Sequence, residues 1–98
     1  MNGRGLSPEI EKDLDVAINY LKSVGCTEVF IFGSVADGSA TGESDLDIAV
    51  RGINPADFFS IYGELLTRLS RPADLIDLDI QKNFGQRLLD SDRLKRVA

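Results

Sequence analysis

The sequence predicts a small two-layer α/β (α+β) domain, with helices packed on one side of a sheet. Three observations carry that reading. Apolar residues recur at helical spacing over 10–24 and again over 58–69. Short β-rich apolar runs lie between and after them, at 29–32, 46–50 and 75–78. The length of 98 residues suits one domain, spanning 1–98, with a modest core and little room for a separate substrate-binding domain.

The elements follow in order. Ser7-Pro8-Glu9 reads as a helix start, with Ser7 as N-cap, Pro8 at the first helical position and Glu9 near the positive dipole end. Ile10, Leu14, Ala17, Ile18, Leu21 and Val24 form one apolar face, and Gly25 supplies the stop. Thr27 to Phe32 is expected to be a strand covered on both faces, because Val29, Phe30, Ile31 and Phe32 are all apolar. After Gly33-Ser34, residues 34–37 suggest a short helix and 38–44 a polar loop. Asp45 to Val50 is a second strand, ended by Gly52-Ile53-Asn54-Pro55. Asn54 then caps a helix whose expected buried stripe is Phe58, Phe59, Tyr62, Leu65, Leu66 and Leu69. Ser70-Arg71-Pro72 ends it, and Ala73 to Leu78 is a third strand. A last helix is expected from 81 or 82 to 89, and Leu94 with Val97 marks a short closing strand.

Composition excludes several classes of function. Net charge is −5, and the densest basic cluster, Arg87, Arg93, Lys95 and Arg96, is diluted by Asp90 and Asp92, so general nucleic-acid binding is not expected. No apolar run is long enough to span a bilayer, and Met1 to Gly5 lacks the apolar core of a signal peptide, so no membrane partner and a cytoplasmic location are expected. Histidine is absent and Cys26 is the one cysteine. No intrachain disulfide can form, Ser-His-Asp and imidazole–zinc chemistry are removed, and Cys26 reads as a buried structural thiol. Acid–base work falls to carboxylates, lysine, tyrosine or bound water.

The stretch from Gly33 to Val50 carries the chemistry. Ten residues after Gly33-Ser34 come Asp45 and Asp47, with one residue between them. Strand side chains alternate, so both carboxylates project to one side, roughly 6–7 Å apart along the backbone. Leu46, Ile48 and Val50 then point into a core. Carboxylates placed together repel unless a cation joins them, and Mg²⁺, which takes phosphate oxygens as further ligands, is the natural partner. Gly33 lets a phosphate approach the backbone, and Ser34 offers its hydroxyl and N–H. Each fragment alone is an ordinary turn or strand end. Together they are hard to explain as surface decoration, since aspartate is disfavoured in strands.

This pattern, Gly33-Ser34, ten residues, then Asp45-Leu46-Asp47, resembles the signature of the DNA polymerase beta-like nucleotidyltransferase superfamily. The small size is similar to its minimal nucleotidyltransferase branch, the MntA-type antitoxins of HEPN/MNT toxin–antitoxin modules. The resemblance implies a mixed sheet with helices on one face and a third carboxylate on a neighbouring strand. Asp74 matches that position best, and Asp77 competes with it. It also implies nucleotidyl transfer with two Mg²⁺ ions held by Asp45, Asp47 and Asp74. Asp74 would take the acceptor's proton, and Gly33 and Ser34 would bind the triphosphate. ATP is the expected nucleotide, and a tyrosine on a HEPN partner the expected acceptor. One departure is Asp37, where the superfamily commonly has arginine. An acid there is unfavourable beside a triphosphate unless a cation offsets it.

Two functions from different classes therefore stand: a catalytic adenylyltransferase, and an antitoxin-like binding module that neutralises its partner by occlusion. A sugar-nucleotide glycosyltransferase would leave Gly33-Ser34 unexplained, and no P-loop sequence is present.

Overall fold

The computed structural model describes residues 8–33, 45–79 and 94–98. Within them the order is α1 (Pro8–Ser23), β1 (Glu28–Ile31), β2 (Leu46–Arg51), a 3₁₀ turn (Pro55–Asp57), α2 (Phe58–Arg68), β3 (Ala73–Asp77) and β4 (Lys95–Arg96). The strands form one sheet in the order β3-β2-β1-β4. β1 pairs antiparallel with β2 and β4, while β2 and β3 run parallel. The sheet is mixed, and α1 and α2 share one of its faces, as the sequence predicts. The expected helices at 34–37 and 81–89 lie outside the described residues, as does Ser7. Among those residues no helix is long and apolar enough to cross a membrane.

Alternation along the strands sorts the side chains onto two faces. Leu46, Ile48 and Val50 of β2 turn to the helices, with Leu75 of β3 and Ile31 of β1, and meet Leu14, Leu21 and Leu65 in the main core. Cys26 is buried there too, and burial pushes its thiol up to about 11. It is a packing residue, as the sequence suggests, and not a nucleophile. The other face carries a smaller cluster of Phe30, Ala49, Leu78 and Leu94, flanked by Phe32 and Ile76. The unalternating apolar run of β1 is explained by these two clusters, one on each side.

Two packing expectations need correction. Val24 lies one residue past the end of α1 and is 37% exposed. In the second helix, Ile61 and Leu65 are buried, with Phe58, Tyr62 and Leu69 packed against them, whereas Phe59 is 83% and Leu66 43% exposed. The reason is phase. Asn54 does cap the segment, accepting from the Ala56 N–H at 3.0 Å, but the first turn is 3₁₀ and the α-helix begins at Phe58. Residues 58, 62, 65 and 69 then share one face, and 59 and 66 lie about 100° away from it. Phe59→Ser is therefore expected to change unfolding stability by no more than about 0.5 kcal/mol. Ile61→Val, which deletes a buried methyl group, should cost about 1 kcal/mol. Urea denaturation of both variants checks the pair.

A buried ion pair ties the helix layer to the sheet. Asp13 of α1 is 5% exposed. It accepts from the Ser70 N–H at 3.1 Å, the Ser70 hydroxyl at 2.6 Å and Arg71 Nε at 2.7 Å. The segment between α2 and β3 is thereby fastened to α1, close to where β3 begins.

Candidate active site

Three chain segments meet at one end of the sheet. β1 ends there at Ile31, followed by Phe32 and Gly33, and the parallel strands β2 and β3 both begin there. Asp47 is the second residue of β2. Its carbonyl accepts from the Phe32 N–H at 3.0 Å, which extends the β1–β2 ladder past the assigned strand. On its other side the register partner of Asp47 is Asp74 of β3. The start of this parallel pairing is fixed by Leu46 N–H donating to the Pro72 carbonyl at 3.1 Å. Residues in register share a face, so Asp47 and Asp74 project from the face away from the helices. Asp45, one residue before β2, lies on that side by alternation and is exposed.

Electrostatics single out Asp47. Partial burial, then the charge of Asp74, a hydrogen bond between the two carboxyl groups and the charge of Asp45 all push its pKa above the ordinary aspartate range. The two carboxyl groups are therefore in contact. Among the described residues no three metal-ligating side chains enclose an ion by themselves. The donor set still fits Mg²⁺. That ion is held through one or two carboxylates, with waters and substrate phosphates completing its shell. Two hard anionic oxygens that repel each other are such a partial shell.

Gly33 closes the site from the β1 side. Its φ of 69° is in the left-handed region, and a Cβ there would run into the Asp47 carboxylate. Only glycine both adopts this turn and leaves the carboxylate its place. Gly33→Ala is expected to cost about 1–2 kcal/mol of stability from the backbone alone. It should also displace Asp47, so that Mg²⁺ is expected to raise the melting temperature of the native protein and not that of the variant. Thermal unfolding with and without Mg²⁺ reads both effects.

The comparisons decide the family. The model of the family "Polymerase beta, Nucleotidyltransferase" matches residues 17–94. The chain belongs to this nucleotidyltransferase family. Similar solved structures include a toxin–antitoxin crystallised with AMP-PNP, at 22% identity and TM-score 0.67, covering 92% of this chain and 72% of that one. The toxin–antitoxin MntA-HepT matches at 20% identity and TM-score 0.64, covering 88% and 69%. At these identities the likeness shows a common fold. Comparison with the curated proteins gives no match.

For this nucleotidyltransferase domain the structure brings Gly33, Asp47 and Asp74 together, with Asp45 at their edge. Ser34 and Asp37 lie outside the described residues. Asp77 is elsewhere: it is opposite Val50, on the helix side, and 2% exposed. Its Oδ1 accepts from the Asp79 N–H at 2.9 Å, and Asp79 in turn accepts from the Gly52 N–H at 3.0 Å. Asp77 thus shapes the turn after β3. Arg51 is at the far end of β2 and lies 3.9 Å from Glu28. The residues that sequence reasoning missed are Asp13 and Tyr62, whose hydroxyl donates to the Ala73 carbonyl at 2.8 Å.

Proposed function

We propose that this domain transfers a nucleoside monophosphate, AMP from ATP, to an acceptor hydroxyl, the acceptor oxygen bonding to the α-phosphorus as pyrophosphate leaves, and that the acceptor is a tyrosine of a HEPN-type toxin which it silences as an antitoxin. The observation that carries the reading is the register pairing of Asp47 with Asp74 beside Gly33. Like charges forced together at the open end of a sheet are costly unless a cation and an anionic substrate use them. Family membership supports nucleotidyl transfer as the class of chemistry. The structural neighbours named as toxin–antitoxins, one with AMP-PNP, support the partner and the nucleotide. A cytoplasmic location fits such a partner.

Asp45, Asp47 and Asp74 would hold Mg²⁺, two ions in the full site. Bound Mg²⁺ supplies charge neutralisation at the phosphates and polarises the acceptor oxygen. Asp74, exposed at the rim, receives the acceptor's proton. Gly33 lets the triphosphate lie against the backbone, and Ser34 donates to it. Asp47, fixed by ladders on both sides, orients the set.

A second reading, neutralisation by occlusion, is favoured by the exposed pair Phe59 and Leu66, which offers a partner an apolar contact on α2. Incubation with a HEPN-type partner, Mg²⁺ and each of the four α-labelled nucleoside triphosphates separates them. Label on the partner from ATP supports transfer. A stable complex without label from any nucleotide supports occlusion.

A further inference from the structure

Among the described residues β3 is an outer strand of the sheet, with β2 as its one neighbour. Asp74 on that strand is kept against Asp47, a group of like charge, by the ladder to β2. The second attachment comes from the helix layer. Tyr62 of α2 donates its hydroxyl to the Ala73 carbonyl at 2.8 Å. That carbonyl and the N–H of Asp74 belong to one planar peptide unit, so the bond fixes the plane from which the Asp74 Cα is suspended. The Tyr62 ring is itself held. It packs on the main core and meets Phe58 edge-on, with centroids 5.9 Å apart and planes at 73°. The backbone just upstream is fastened by Ser70 and Arg71 to Asp13.

We infer that Tyr62 is a positioning residue for Asp74: through the Ala73–Asp74 peptide it holds the third carboxylate in place beside Asp47. This rests on the reading of that pair as a divalent-cation site. Nothing in the hydroxyl's chemistry brings it into contact with substrate, and its effect passes through Asp74 alone.

The test is a double-mutant cycle of Tyr62→Phe and Asp74→Asn, with Mn²⁺ alone as the probe and its affinity read by electron paramagnetic resonance. Tyr62→Phe keeps the ring and its packing and removes one hydrogen bond. It is expected to weaken Mn²⁺ binding by about threefold to tenfold. In the Asp74→Asn background the same change should have no further effect, because residues acting through one another are not additive. Thermal unfolding of each variant establishes that the folded molecule is compared. A merely structural role lowers the unfolding midpoint and leaves Mn²⁺ affinity unchanged. That result, or an undiminished Tyr62→Phe effect in the Asp74→Asn background, overturns the inference and leaves the cation site standing. Native protein that does not bind Mn²⁺ overturns both.

Discussion

Asp47→Asn is expected to lower nucleotidyl transfer by more than about a thousandfold, equivalent to about 4 kcal/mol of transition-state stabilisation. The fold should survive intact. Asn keeps the size of the side chain and removes the charge that burial, Asp74 and Asp45 all disfavour. The metal-free variant should therefore melt at or above the native temperature, while the Mg²⁺-induced rise in melting temperature disappears. Stability gained where activity is lost is the expected mark of a residue held in place for chemistry. Steady-state transfer assays and thermal unfolding, each with and without Mg²⁺, measure the two arms. A variant that loses activity and also unfolds early would make Asp47 a structural residue.

The second large effect is on folding. Asp13→Ala is expected to destabilise the protein by about 3–5 kcal/mol, because it removes at once three hydrogen bonds onto a buried carboxylate, from the Ser70 N–H, the Ser70 hydroxyl and Arg71 Nε. The Asp13 and Arg71 side chains are 7% and 8% exposed, so water cannot take over the missing contact. The pair also sets a pH dependence. Burial alone would raise the pKa of Asp13, but the hydrogen bonds from Ser70 and Arg71 and the Arg71 charge outweigh it and hold the carboxyl below its usual range. A lowered folded-state value contributes stability above the unfolded value, about 3.9, and that contribution fades as pH falls through the folded value. The native protein should lose stability steeply below about pH 4, and Asp13→Ala should show a shallower acid limb. Urea unfolding from pH 3 to 7 compares the slopes.

Much of the fold could be read from spacing. The α1 face, the two-sided burial of β1 and the shared side of Asp45 and Asp47 at the start of β2 all follow from periods of 3.6 and 2. What failed depended on phase or on distance along the chain. Phe59 and Leu66 lie on one flank of the apolar stripe, and apolar character alone does not reveal that the buried face leans to the other flank, where Ile61 sits. Asp13 looked like any acid on a solvated helix, since its partners lie 57 and 58 residues later. The sequence favours Asp74 over Asp77 as the third carboxylate without excluding Asp77, because only the strand register places Asp74 opposite Asp47 and Asp77 opposite Val50. That register is a tertiary fact: it depends on how the connection after α2 is fastened, by Asp13 and by Tyr62, and neither contact has a local signature.

Whether the carboxylate pair serves transfer of a nucleotide to a partner protein is decided by the intact mass of a HEPN-type partner after incubation with this protein, ATP and Mg²⁺. The expected result is a partner heavier by one or more AMP groups, carried on tyrosine, and no change with Asp47→Asn. A partner of unchanged mass, tightly bound by both proteins, would overturn the proposed transfer.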